Sequence, residues 1–551
     1  MDSWCNMKSI TIILLIVPLI SAELFPLSII HINDFHARFE ATDTSGGTCN
    51  AGEECIGGYA RTVYTVKRLL EEQKDRNPVY FNAGDSFQGT LWYNIGRWNV
   101  TSQFLNMLPA DAMTLGNHEF DHGIEGLVPF LETINSPMLV ANMDARDEPD
   151  MQGKYQRSMI IERSNRKIGV IGIILETTYD LANTGDLIFL NESAAIREEA
   201  QNLKAQGANI IIAITHCGYD VDKIIAVNAG DEVDVIVGAH SHTFLYTGDT
   251  PPGPDTPRGP YPTEVIHESG HRVLIVQAAA YAKYVGNITV FFDDAGNVVD
   301  YSGAPIYMGS DVPEDSNVID ALPPWKEVVD EQGSVVVGES KVDLEILRCD
   351  YDECNLGNYF CDALIHAFAG LTPFSDTPWA NVSIGLVNNG AMRVPLKTGT
   401  LTYAHLIAMS PFENVLTAFN LPGHKLLEAL EYSVQAIDIK NNYTSSDVFL
   451  QVSGMKITYD YSKSPGERII DLKVRCANCD IPAYEDFDSR KTYRIVAPDF
   501  LVEGGGGYTM FTEYGSDWQK EMRSIDALLS YTRIMSPIYI GREKRITVIG
   551  L

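Results

Sequence analysis

The stretch "DAMTLGNHEFDHG", residues 111–123, decides how the chain is read. Its first half is a short apolar run with the look of a buried strand. Its second half, hinged on Gly116, sets Asn117, His118, Glu119, Asp121 and His122 at the end of that run. Side chains this polar are ordinarily spread over a solvated surface, so their concentration at the exit of a buried segment marks a candidate site.

The arrangement recurs upstream and downstream. Up to about residue 300, β-branched apolar runs end in polar or glycine residues and give way to longer amphipathic stretches, the pattern of an α/β domain. "LSIIHIND" ends at Asn33 and Asp34, with His36 two residues on; "PVYFNAGD" ends at Asp85; "NIIIAITH" ends at His216; "VDVIVGAHSH" ends at His240 and His242. Ligands of α/β sheets bind beyond the carboxyl ends of strands, so these exits are expected to converge. A lone histidine after a strand is more often a hydrogen-bonded surface residue. The weight lies in the set Asp34, His36, Asp85, Asn117, His216, His240 and His242, which includes no Lys or Arg. Asp, His and Asn without Cys suit zinc or manganese better than calcium, which prefers all-oxygen shells. Seven candidates are too many for one four-coordinate ion. Two ions bridged by Asp85 use them, and metals about 3.5–4 Å apart can activate a water and stabilise an in-line phosphoryl displacement.

Length and composition set the frame. At 551 residues the chain is expected to hold two to four domains, and 45% hydrophobic with 21% charged residues is ordinary globular usage. A net charge of −32 argues against a nucleic-acid or anionic-membrane surface, which needs a basic face. After Lys8, "SITIILLIVPLISA" is short for a bilayer span and ends in small residues, so residues 1–22 read as a secretory signal peptide rather than a buried core helix. Sequons at Asn99, Asn191, Asn287, Asn381 and Asn442 fit a secreted glycoprotein. The closing "SPIYIGREKRITVIGL" has neither a GPI signal nor an apolar anchor, and an extracellular protein is expected. Cys49 with Cys55, Cys349 with Cys354 and Cys476 with Cys479 read as local disulfides; "CANC" lacks a second pair to complete a zinc site. Cys217 and Cys361 read as buried free thiols.

"DFH" (34–36), "GD" (84–85), "GNHEFD" (116–121), "THCG" (215–218) and "GAHSH" (238–242) resemble the calcineurin-type metallophosphoesterases, and more narrowly the 5'-nucleotidase and apyrase family. "GPYPT", "AKYVGNITV", "ECNLGN" and "LQVSGMKITYD" extend the resemblance over nearly all of the chain after residue 22, and "FQGTLWYNIGRWNVT" resembles most the salivary apyrases of blood-feeding insects. The resemblance implies a four-layer metallophosphoesterase domain, a β-sandwich flanked by helices, over 23–315. It further implies a linker helix over 316–333 and an α/β C-terminal nucleotide-binding domain over 334–551 that rotates between open and closed states. It implies that Asp34, His36, Asp85 and His242 hold one metal, and Asp85, Asn117, His216 and His240 the other. His118, oriented by Asp121, is expected to stabilise the transition state or protonate the leaving oxygen. Asn388 and Arg393 in "LVNNGAMRVP" match positions that contact base and phosphate, and Phe412 and Phe500 match two rings that sandwich the base.

Two positions depart from the family pattern. Asp350 in "CDYDEC" stands where relatives carry a phosphate-gripping Arg, and Gly506 where they carry an Asp that bonds the ribose. Arg348 is a candidate to compensate. The expected function is a metal-dependent hydrolase of extracellular ATP and ADP, and of AMP, that suppresses platelet aggregation in a host. The alternative is a weakened enzyme that inhibits by binding nucleotides or a platelet receptor. A nuclease is disfavoured by the acidity.

Overall fold

The computed structural model describes residues 24–49, 52, 54–371, 379–437 and 448–550. The expected signal peptide and Asn442 lie outside the described residues. Two six-stranded sheets form the first half. In one, Phe25–Ile32 lies between the antiparallel Tyr284–Phe292 and the parallel Val79–Asn82, with Ala112–Met113 beyond. In the other, Arg166–Ile174, Ile210–His216, Val235–Val237 and Arg272–Val276 run parallel, edged by the antiparallel Ser158–Arg163 and Thr263–Ile266.

Strand alternation explains the layering. In Phe25–Ile32, Leu27 and Ile29 join a core shared with Ile168, Ile212 and Val235 of the second sheet, while Ile30 and Ile32 join one shared with Tyr59, Val63 and Phe104 of the helices Tyr59–Glu72 and Leu91–Leu105. Helices Glu192–Ala205 and Tyr219–Asn228 cover the far face of the second sheet. Covered on both faces, Ile210–His216 is buried at every residue, as a central parallel strand requires. The result is the helix–sheet–sheet–helix stack expected.

The span 316–333 is two helices, Ser316–Ala321 and Pro323–Gly333, where one was expected. Asp315 caps the first through the backbone N–H groups of Asn317 and Val318, and Pro323, which has no N–H to donate, opens the second. The second half carries a five-stranded sheet in the order Leu450–Ser453, Ile384–Asn388, Thr492–Pro498, Val415–Pro422, Ser516–Arg523. Helices Asn355–Leu371 and Ser524–Met535 pack together beside it, and a four-stranded sheet closes the domain. The two halves share a core: Pro323–Gly333 packs against both Leu91–Leu105 and Tyr403–Met409.

All three expected disulfides are formed, and Cys217 and Cys361 are buried free thiols. Among the described residues, no helix is long and apolar enough to cross a membrane. Of the described sequon asparagines, Asn99, Asn191 and Asn381 are exposed, and Asn287 is half-buried with its Oδ1 accepting from Gln73 Nε2 at 3.1 Å.

Candidate active site and metal centre

All five strand exits deliver their residues to one place. The first two are tied together by backbone bonds, Asp34 N–H to Gly84 O at 3.1 Å and His36 N–H to Asp85 O at 2.9 Å. Asp34, His36, Asp85, His240 and His242 all sit at positive φ, between 49° and 73°, a region non-glycine residues enter at a cost. That five of seven ligand candidates share this strain shows that the surroundings, not local preference, fix them.

Two clusters result. Asp34, His36, Asp85 and His242 form one, and Asp85, His216 and His240 the other, each with its ligand atoms within 4.8 Å of one another. Asp85 belongs to both. Its Oδ2 lies 3.1 Å from His216 Nε2 and 3.6 Å from His36 Nε2, while its Oδ1 accepts from the His118 backbone N–H at 3.0 Å. His242 Nε2 lies 3.0 Å from His36 Nε2 and 3.4 Å from Asp34 Oδ1. Asn117 Oδ1 lies 2.9 Å from His240 Nδ1, placing the asparagine at the second cluster.

The donor set fits two divalent ions. His36 and His216 each direct Nδ1 to a backbone carbonyl, of Phe87 at 3.2 Å and Ala83 at 2.8 Å, which leaves Nε2 to face the carboxylates. His216 Nε2 is buried and faces Asp85 Oδ2 at 3.1 Å without the alignment of a hydrogen bond, an imidazole–carboxylate pair that a cation can complete. The remaining cleft makes the same demand. Among the described lining residues there are seven carboxylates and a single Arg or Lys, Arg393, so a polyphosphate is held there only if further positive charge is supplied.

Beside the clusters, His118 Nδ1 contacts both oxygens of Asp121, at 3.0 and 3.1 Å. Burial pulls the imidazole's pKa down, but Asp121 and Asp85 outweigh it and hold it above its ordinary value. The ring stacks on Phe412 of the second domain, centroids 5.7 Å apart. Arg393 Nη2 reaches to 3.2 Å from His36 Nε2, and Asn388 and Phe500 line the same cleft of about 1100 Å³. Every metal, catalytic and substrate residue expected from the sequence therefore borders one space or lies directly beneath it.

The departures fall out differently. Gly506 lines the cleft at φ 67°. Asp350 is not among the described lining residues and lies in the turn closed by the Cys349–Cys354 bond. Arg348 is not among them either, and its guanidinium lies 3.6 Å from Asp352 Oδ2.

Three features go beyond the sequence reading, which gives Glu119 and His122 a structural part and no chemistry. Glu119 lies buried beneath Asp85 and accepts the backbone N–H groups of Asp85, Ser86, Phe87 and Gly116 at 2.6–3.2 Å. Burial and Asp85 nonetheless hold its carboxyl up at about 7. Arg97, at φ 50° inside the kinked helix Leu91–Leu105, bonds His122 and reaches Glu413 of the second domain at 2.8 Å, next to Phe412. Burial and Arg97 lower the His122 pKa, which suits a neutral acceptor. The loop Tyr179–Asn183 forms a further wall of the cleft. Glu119→Ala leaves four buried N–H groups without an acceptor, and at about 1 kcal/mol or more each we expect the mutant to lose about 4 kcal/mol, seen as a clear drop in melting temperature. An unchanged melting temperature would remove Glu119 from the scaffold of the site.

A sandwich of this layering, with two Asp/His clusters sharing a carboxylate at its strand ends, defines a calcineurin-like phosphoesterase. Residues 27–244 match the family described as calcineurin-like phosphoesterase, and residues 336–513 match the 5'-nucleotidase C-terminal domain. The chain is 50% identical over 533 residues to a 5'-nucleotidase-related protein of Glossina morsitans morsitans, covering 96% of this chain and 95% of the relative. It is 47% identical to an apyrase of Tabanus yao, covering 95% and 94%. A crystal structure of a 5'-nucleotidase precursor from Thermus thermophilus superposes with a TM-score of 0.85 at 32% identity, covering 95% of this chain and 99% of that one. The chain belongs to the 5'-nucleotidase/apyrase family of metal-dependent nucleotide hydrolases.

Proposed function

We propose that the chain is a secreted apyrase-like phosphohydrolase that releases phosphate from extracellular ATP and ADP, with AMP as a further substrate, and that by removing ADP it suppresses platelet aggregation in a host, as a salivary protein. The observation that carries the hydrolytic reading is Asp85, shared between two ligand clusters at a cleft that also holds His118 and Arg393. The secretory reading rests on the N-terminal apolar run, the sequons and the three disulfides.

Asp34, His36, Asp85 and His242 would hold one divalent ion, and Asp85, Asn117, His216 and His240 a second. Such a pair, when bound, supplies Lewis acidity and activates the attacking water. His118 has Nε2 left for the cleft because Asp121 accepts a hydrogen bond from its Nδ1–H, and that Nε2 carries the proton passed to the leaving oxygen. Arg393 grips phosphate oxygens with its forked N–H groups, and Asn388, Phe412 and Phe500 receive the base.

The test is phosphate release from ATP, ADP and AMP by the purified protein, with zinc, manganese or calcium and with a chelator. Hydrolysis of ATP and ADP that stops on chelation is expected. Turnover indifferent to chelation sinks the two-metal reading, and turnover confined to AMP replaces the apyrase with a nucleotidase.

A further inference from the structure

The cleft-lining carboxylates divide cleanly by what they already do. Asp85 belongs to the ligand clusters, and Asp121 is engaged by His118. Glu413 takes Arg97 at 2.8 Å, and Glu503 takes Lys520 at 2.8 Å. Asp499 accepts the backbone N–H groups of Val415 and Phe500 at 3.1 and 3.0 Å. Two remain. Glu513 stands exposed, whereas Asp180 is half-buried at the wall of the cleft, without a hydrogen bond or ion pair among the described residues. Burial raises the Asp180 carboxyl's pKa above its ordinary value, the mark of an acceptor short of donors.

Its surroundings say what kind of donor is lacking. The short helix Glu176–Asp180 packs against the turn Gly505–Gly507, and its last residue faces the region of Tyr432, whose hydroxyl donates to Gly506 O at 2.9 Å. Phe500 and Gly504–Gly506 line the same cleft as Arg393 and Asp85, and Phe412 lies between them in contact with His118 and with Arg393, 5.9 Å from its ring centroid. In a nucleotide the sugar joins base to phosphate, so a cleft that takes the base on its rings and the phosphate on Arg393 and the ligand clusters must also receive the pentose. A carboxylate repels phosphate but accepts well from a pair of neutral hydroxyls. On the neighbouring turn Gly506 brings no side chain.

We propose that Asp180 accepts hydrogen bonds from the vicinal hydroxyls of the substrate's ribose, making the loop after Arg166–Ile174 the sugar-reading wall of the cleft. This rests on the nucleotide-hydrolase reading above. A hydrogen bond to a charged acceptor is worth about a tenfold difference in affinity, so the protein prefers ribonucleosides over dideoxyribonucleosides by about that factor.

The experiment is calorimetric binding of adenosine and of 2',3'-dideoxyadenosine to the wild-type protein, Asp180→Asn and Asp180→Ala, with phosphate release from ADP measured on the same preparations. Wild type is expected to bind adenosine about tenfold more tightly, Asp180→Ala to bind the two within twofold, and the isosteric Asp180→Asn to fall between. Because the readout is a ratio within one protein, a loss of folded fraction cancels. Equal affinities in wild type, or an undiminished preference in Asp180→Ala, overturn the assignment. Sugar preference without phosphate release overturns the hydrolase reading and leaves Asp180 in place; phosphate release without sugar preference does the reverse.

Discussion

Asp85→Asn is expected to bind at most one divalent ion after dialysis and to release phosphate from ADP roughly a thousandfold more slowly than wild type, since a lost ion forfeits several kcal/mol at about 1.4 per tenfold. Asparagine is the informative replacement because it keeps the shape. Its amide oxygen can still accept the His118 backbone N–H that Asp85 Oδ1 accepts at 3.0 Å, so the turn Asn117–Phe120 stays seated. What goes is one buried negative charge. Burial alone penalises that charge, yet His216, His118 and His36 around it hold the carboxyl well below its ordinary range, so the pocket is built for an anion. Metal content by mass spectrometry, set beside initial rates, checks both halves of the expectation. Two ions bound with wild-type turnover would show that the clusters do not share Asp85 as a ligand.

The legible part of this site was the part carried by strands. β-branched apolar runs that stop at Asp34, Asp85, Asn117, His216 and His240 announce both the sheets and the edge where their contents meet, because parallel strands all exit the same way. What binds those exits into a rigid constellation was not legible. Glu119 clamps the Asp85 loop from 34 positions away, and Arg97 meets Glu413 across 316. Such distances leave no periodic trace. The positive φ of Asp34 and His36 is equally silent in sequence, since neither residue type demands it. One signal was present and unread: Arg166–Ile174 runs parallel with Ile210–His216, so its following loop, with Tyr179 and Asp180, had to reach the same edge. Its lack of histidine hid it. The Pro323–Pro324 pair likewise foretold two helices rather than one.

His118→Ala is expected to keep both metal ions and to lose between about a hundredfold and ten-thousandfold in turnover of ADP, the range over which a positioned general acid contributes. The geometry separates this loss from a ligand defect. His118 meets Asp85 through its backbone N–H, which alanine retains, while the imidazole turns away to Asp121 and lies against Phe412. The same geometry fixes the sign of the pH response. As the acid, His118 works while protonated, so turnover falls as pH rises through its pKa. Asp121, with Asp85, keeps that pKa raised against the opposing pull of burial. Asp121→Asn removes the nearer charge, and the alkaline limb of the turnover profile is therefore expected to move to lower pH, with metal content unchanged. A limb that stays put in Asp121→Asn, or an alkaline limb that persists in His118→Ala, assigns the titration to another group and strips His118 of the acid's role.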